Sequence, residues 1–262
     1  MRYEIKIITL SCLLLLCSSV LTLAAEKQMP FQPGEKLVFV LKWVNIPAGK
    51  ATLKVEPFTD INGIKARHFV MTAKTNKFVD FFYKVRDRID AYADIKMDHS
   101  VLFKKKQKEG SYKKHSIVDF DWKKNQAKYF HNGKKRKPID LMPGSFDPLS
   151  AFYFIRMMDL KGKKTIKRPV TDGKKNVIGV VNVISRQDID VNGKIYDTFL
   201  VEPELKDVGG VFKKSKKAKI QLWITADSNR IPVKIKSKVA VGTFSGELVS
   251  STGLVSSTEL AP

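Results

Sequence analysis

The sequence predicts a mostly β protein, a large antiparallel curved sheet or barrel-like half-barrel enclosing one buried helix at about 147–159. Three observations carry that expectation. Apolar and polar residues alternate over long stretches, turn-forming clusters interrupt the alternation, and one segment abandons it for residues apolar on every side of a helix.

The alternation is cleanest in KATLKVEP (50–57). Ala51, Leu53 and Val55 share one face of a strand while Lys50, Thr52, Lys54 and Glu56 share the other. IPVKIKSKVAVG (231–242) repeats the pattern, with Ile231, Val233, Ile235, Val239 and Val241 inside and Lys234, Lys236 and Lys238 outside. Similar runs occur near 36–43, 68–75, 82–93, 99–108, 114–122, 176–189, 194–202, 217–226 and 244–250. Turns separate them at 45–49, 60–63, 131–135 and 190–194, and the Asn-Gly pairs at 132–133 and 192–193 are strong hairpin signals. No linker, repeat or low-complexity run divides the chain, so residues 26–262 are expected to form a single β-rich domain.

The exception is FDPLSAFYFIRMMDL (146–160). Asp147 is a good N-cap and Pro148 suits the first helical position. From Leu149 to Met158 apolar residues fall on all sides, the mark of a buried helix. Arg156 is the one charge inside that run, and a guanidinium carried into a core needs a carboxylate. Asp87 is the first candidate, because strand alternation places it with Val85, Ile89 and Ala91; Asp227 is the second.

Residues 1–25 read as a secretory signal: Arg2 and Lys6, an apolar run from Ile7 to Leu23, then Ala24-Ala25. The apolar run is short for a membrane span, and a retained anchor is the rival reading. Neither Cys12 nor Cys17 has the flanking residues of a lipoprotein signal. Both cysteines fall inside the signal, so the exported chain must be held by its core alone. A periplasmic location follows.

The chain carries a net charge of +22, and removing Arg2, Lys6 and Glu4 leaves +21. In a cytoplasmic protein that balance would point to nucleic acid; outside the cytoplasm no nucleic acid is expected. The anions there are lipid headgroups, lipopolysaccharide phosphates and acidic glycans. The basic residues cluster at 103–115, 133–138, 161–169 and 212–219, all at strand ends or loops. Lys104, Lys105, Lys106, Lys134, Lys135, Arg136, Lys213 and Lys214 are the candidate basic rim. Gathered on one rim they would funnel an anion, whereas an even spread would serve solubility only.

Catalytic signatures are scarce. His68, His99, His115 and His131 show no metal-ligand spacing, no glycine loop cradles phosphate, and no nucleophile elbow occurs. No metal or cofactor is expected. Asp119 and Asp121 share a strand face about 7 Å apart, within the range of glycosidase acids, but Lys113, Lys114, Lys123 and Lys124 flank them. In WITADSNRIPV (223–233), Asp227 and Arg230 have the spacing of a hairpin turn and lack a nucleophile or a tunable base.

PFQPGEKLVFVLKWVNIPAGKATL, DPLSAFYFIR, GKIYDTFLVEP and IQLWITADSNRIPVKIKSKVAVGTFSGEL together resemble the bacterial domain-of-unknown-function family numbered 3108, from about Phe31 to about Leu248. The resemblance implies an exported, mostly β protein of Gram-negative-type bacteria and no established activity. The closing hairpin is also similar to one in lipoprotein-carrier and related periplasmic proteins, which fold as curved half-barrels around a helical element and hold acyl chains. Three functional readings stand. The first is a non-catalytic envelope protein that carries an acidic amphiphile, an anionic lipid or lipopolysaccharide type, in an apolar cleft with a basic rim. The second is a structural or assembly factor, peripherally associated with the envelope, that meets acidic glycan or a protein partner. The third is a hydrolase using Asp119 and Asp121.

The export reading predicts an exported form beginning near Ala25 or Glu26. N-terminal sequencing of protein from the periplasmic fraction checks it, and a retained Met1 would sink it.

Overall fold

The computed structural model describes residues 29–204, 218–239 and 242–255. Among them the chain folds almost wholly as successive antiparallel strands: β1 (Lys36–Trp43), β2 (Ile46–Ile61), β3 (Ile64–Thr75), β4 (Arg86–Asp94), β5 (Ser100–Glu109), β6 (Tyr112–Asp121) and β7 (Gln126–His131). Two short strands, β8 (Lys134–Lys135) and β9 (Ile139–Asp140), both pair with β7. After the helix come β10 (Lys164–Thr171), β11 (Asn176–Val191), β12 (Lys194–Pro203), β13 (Lys219–Thr225), β14 (Pro232–Val239) and β15 (Gly242–Thr252). They form one curved sheet in the order β10-β11-β12-β13-β14-β15-β1-β2-β3-β4-β5-β6-β7-β8, which does not close on itself. The single crossing of sequence order, β15 beside β1, brings the last strand against the first. Asn62-Gly63, Asn132-Gly133 and Asn192-Gly193 each have both residues at positive φ, the turn whose twist matches a two-residue hairpin.

Sequence alternation sets the faces. Leu37, Leu53, Met71 and Ile89 lie opposite one another across β1 to β4, so one apolar row runs over the face that receives the helix. The fold class and most strands match the periodicity. Two regions departed from it. β7 and β10 lie outside the predicted runs, because AKYFH is short and KTIKRPV reads first as a basic cluster. The start of the 82–93 run is not strand: Asn76 caps a one-turn helix, α1 (Lys77–Asp80), by accepting from the Val79 N–H, and β4 begins only at Arg86.

The second helix, α2, spans Pro148–Arg156, shorter than the 147–159 expected. Asp147 caps it, accepting from the Leu149 and Ser150 N–H groups and from the Ser100 hydroxyl of β5. Burial pushes the Asp147 carboxyl up, and those hydrogen bonds pull it back. The helix is not buried all round. Leu149, Ser150, Tyr153 and Arg156 are buried; Ala151, Phe152, Phe154 and Ile155 are only partly covered. Tyr153 stacks on Phe69 of β3 at 3.9 Å between ring centroids, and Phe31 meets both rings edge-on.

Arg156 is fully buried, and its partner is Glu35. Nη1 and Nη2 donate to Glu35 Oε1 and Oε2, both at 2.7 Å, in a bidentate pair. Nη2 also donates to the Pro30 and Asn229 carbonyls and Nε to the Arg230 carbonyl. The guanidinium lies 5.2 Å from both the Phe31 and Tyr153 ring centroids. Neither Asp87 nor Asp227 pairs with it. Asp87 does face the apolar side as alternation required, but it sits at the far end of β4, accepting from the Lys108 N–H beside Glu109. Asp227 organises its own turn, accepting from Thr225 Oγ1 and the Arg230 N–H. That turn does reach Arg156, through backbone carbonyls instead of the carboxylate. Glu35 was legible in principle. It precedes Leu37 and Phe39 at strand spacing, so it points inward with them.

Breaking one member of a buried pair strands the other charge. Arg156→Met alone should therefore cost about 3–5 kcal/mol in urea unfolding, and Arg156→Met with Glu35→Leu should recover most of it. Equal midpoints for wild type and Arg156→Met would disprove the assignment.

Candidate functional site

The partly covered side of α2 forms one wall of a cleft of about 940 Å³. Ala151, Phe152 and Ile155 of the helix face Ile166 and Val170 of β10, Val181 of β11, Val201 of β12, and Leu222 and Ile224 of β13. These are the inward members of their strands: Val183, Val201 and Leu222 stand opposite one another, continuing the row to Ile235, Gly246 and Leu41. Arg168 bounds the cleft on one side. Its guanidinium lies over Phe154 and Phe146, at 4.6 and 5.0 Å from the ring centroids, and donates to the Asp98 carbonyl. The volume is within the range of small-molecule pockets, roughly 300–1,000 Å³.

A second cavity of about 510 Å³ opens beside the first, lined by Tyr112, Lys114, Tyr129, His131, Arg136, Lys137, Ile139, Gly173 and Lys174. Four of these are permanent cations and none is a carboxylate. Burial pushes the His131 ring down from its ordinary pKa of 6.5, and Lys114, Arg136 and Lys174 push it further in the same direction. His131 Nδ1 is buried and finds no hydrogen-bond partner among the described residues.

The two cavities meet at the turn between β10 and β11, where Lys174 lines both. Gly173 explains how that turn gets there. Its φ is +85°, and a Cβ on it would lie 2.7 Å from Val118 Cγ2 and 2.9 Å from Tyr129 Cδ2. Only a residue without a side chain lets this backbone rest on β6 and β7. Nearby, Phe146 bridges to Val170 of β10, and Asn176 donates to Ser145 Oγ. The open ends of the sheet thus approach through one turn and one loop without hydrogen-bonding strand to strand.

The expected basic rim is partly redistributed. Lys105 shares the face of Phe103; burial pushes its ammonium down and Asp87 draws it up, in a polar cluster with Glu109 and Gln107 at the strand ends. Lys104 and Lys106 fall on the opposite face, Lys104 over the Tyr92 ring at 5.8 Å. That correction follows from the strand period of two: three consecutive lysines cannot face one side. Arg136 lines the cationic cavity, whereas Lys134 and Lys135 are exposed in β8 and line neither cavity. Lys213 and Lys214 lie outside the described residues. Lys114, Lys137 and Lys174 also line the cavity: Lys114 and Lys137 sit in basic runs that do not show which members face inward, and Lys174 lies in the β10–β11 turn outside those runs.

Asp119 and Asp121 do not enter a cleft. They lie on the other face of β6, where Lys128 bridges them at 3.9 and 2.7 Å. The Lys128 hydrogen bond holds the Asp121 carboxyl below its usual range, the reverse of what a general acid needs. His68 pairs with Asp90 and stacks on Tyr92; His99 sits by Asp94. Among the described residues no group of His, Cys, Asp and Glu could hold a metal ion, and no helix is long and apolar enough to cross a membrane.

The family model described as "Protein of unknown function (DUF3108)" matches residues 38–249. The chain belongs to this family. Among curated proteins none matches the sequence. Of solved structures, the DUF3108 chain is similar to a beta-barrel-like protein of domain of unknown function DUF1849 from Brucella abortus. The identity is 12% and the TM-score 0.53, covering 85% of this chain and 98% of that one. That likeness shows a shared beta-barrel-like fold and nothing of activity. The hypothetical protein CT021 from Chlamydia trachomatis aligns over 86% of this chain and 90% of its own at 9% identity, with a TM-score of 0.36.

Gly173→Ala should lower stability by about 1–3 kcal/mol, because the added methyl must displace β6 or β7. Gly63→Ala is the control: its φ is +82° but nothing lies within 4 Å of the new atom. Thermal unfolding of both separates contact from backbone strain, and equal losses would refute the close approach.

Proposed function

We propose that this DUF3108 chain is a non-catalytic, exported envelope protein of the periplasm that binds an acidic amphiphile. The acyl portion occupies the cleft beside α2, and the anionic head occupies the cationic cavity. The observation that carries the reading is the meeting of an apolar cleft and a carboxylate-free cationic cavity at Lys174. An anion alone has no use for the first, and a neutral lipid has none for the second. A structural or assembly factor that met acidic glycan would use the lysines and leave the cleft idle.

The two cavities contribute differently. Each methylene buried in the cleft contributes about 0.8 kcal/mol, so retention should depend on chain length. Exposed cations are screened over about 8 Å at physiological salt, so they govern capture rate more than retention. The third contribution is protonic. In the protein alone, burial and the surrounding cations favour the neutral His131 ring. An anion beside it favours the imidazolium, so binding takes up a proton and strengthens as pH falls.

Native mass spectrometry with lipid extraction, on protein from its own periplasm, identifies the bound class. In titrations with phosphodiester lipids, whose charge is fixed near neutrality, two added carbons should tighten binding roughly tenfold. Affinity that ignores chain length would replace this reading with the assembly factor. Between about pH 7.5 and 5.5 affinity should rise, and His131→Gln should flatten that rise while leaving the chain-length effect intact. A slope unchanged by His131→Gln would remove the histidine from the head site.

A further inference from the structure

Seven of the fifteen exposed large hydrophobic side chains among the described residues gather at one end of the sheet. Phe78, Phe81 and Phe82 of the α1 segment are 68%, 86% and 72% exposed. Beside them the turn between β1 and β2 exposes Trp43, Val44 and Ile46, and β15 contributes Phe244. These are one patch, held by backbone and ring contacts. Asn76 at the start of α1 donates from its N–H to the Ala48 carbonyl at 2.9 Å and from Nδ2 to the Pro47 carbonyl at 2.7 Å. Val44 donates to the Thr243 carbonyl, Trp43 stacks on Phe244, and Phe82 packs edge-on to both Phe78 and Phe81.

Burial does not account for this arrangement. A six-residue stretch, KFVDFF, offers three phenylalanines to solvent at the tip of a short helix with no buried residue, which packs against the ends of β2 and β3. Contiguous exposed apolar patches on a soluble domain mark an interaction site. The charges around it select the partner. Lys50, Lys74, Lys77 and Lys84 are exposed on the same end, while the nearby Asp80 is already held by Arg86 and Thr75. Aromatic side chains ringed by lysines suit the boundary of a lipid bilayer with anionic headgroups, the aromatic rings entering the interface and the ammonium groups meeting phosphate.

We infer that the α1 segment and the β1–β2 turn form an aromatic tip that docks the protein on an anionic lipid surface. The register gives the docking a direction. Phe244 stands opposite Trp43 on one side and Ser237 on the other, and Ser237 stands opposite Ile220, which lines the apolar cleft. The tip and that part of the cleft therefore share one end of the strands. Docking by the tip does not depend on the cleft being occupied, so the two readings stand or fall separately.

The test is co-sedimentation of the purified protein with vesicles of phosphatidylglycerol and phosphatidylethanolamine, and with neutral phosphatidylcholine vesicles. Binding to the anionic vesicles should be strong and salt-sensitive, and weak to the neutral ones. Trp43 emission should shift to shorter wavelength and be quenched by shallowly brominated lipid. Phe81→Ser with Phe82→Ser should reduce the bound fraction by about tenfold or more. Because Phe81 alone is so exposed, Phe81→Ser is the milder variant, and its unfolding midpoint should equal that of wild type. Ile195→Ser, at the exposed β11–β12 turn on the other end of the strands, should leave vesicle binding unchanged. Wild-type vesicle binding by the double serine variant would overturn the proposal. So would a dimer in sedimentation velocity that this variant converts to monomer, since a second copy would then be the occupant.

Discussion

The Glu35–Arg156 pair is the constraint on which the arrangement depends. It joins three parts of the chain that are remote in sequence: the entry to β1, the end of α2 and the turn between β13 and β14. Removing two charges from water costs several kcal/mol per ion, and attraction offsets that only when the geometry is good and the remaining donors are used. Here the carboxylate takes both guanidinium ends and three backbone carbonyls take the rest. The pair is better regarded as a device of specificity than as a source of net stability. An alternative packing of the helix would leave a buried cation without acceptors, which is a steep penalty for error.

That pin works together with a second one. At the other end of α2 Asp147 takes the Ser100 hydroxyl while Ser100 Oγ accepts the Asp147 N–H, so the helix N-terminus is tied to β5. Held at both ends by polar contacts, the helix need not be wrapped in apolar sheet. One face is buried against Phe31, Phe69 and Phe146, and the other is left over the inward residues of β10–β13. The cleft is a consequence of fixing a helix by its termini inside a sheet wide enough to curve past it.

Electrostatics follow the same geometry. A surface of mixed lysines would exert only a diffuse field, but strand alternation turns Lys105 and Lys114 inward while Lys104 and Lys106 point away. The close approach at Gly173 then adds Lys174 to the cavity that Lys114 lines. A high net positive charge becomes a localised potential because the sheet brings its two ends together, concentrating cations from strands far apart in order.

The sequence by itself determined the period, the turns and the helix. Alternation in KATLKVEP and IPVKIKSKVAVG, the Asn-Gly pairs, and Asp147-Pro148 are local signals read by local physics. It also determined that Arg156 required a carboxylate. Which carboxylate was decided only in the tertiary structure, because Asp87 and Glu35 share the same inward pattern and differ only in where β1 and β4 stop relative to α2. Likewise the lysine runs carried charge but not direction for each member, and KTIKRPV carried strand propensity hidden beneath its charge. The cleft was least legible of all. An apolar run such as LSAFYFI reads as buried on every side, and whether the sheet covers one side or all of them depends on its curvature and on where its ends meet. Those quantities belong to the whole sheet and to no segment of it.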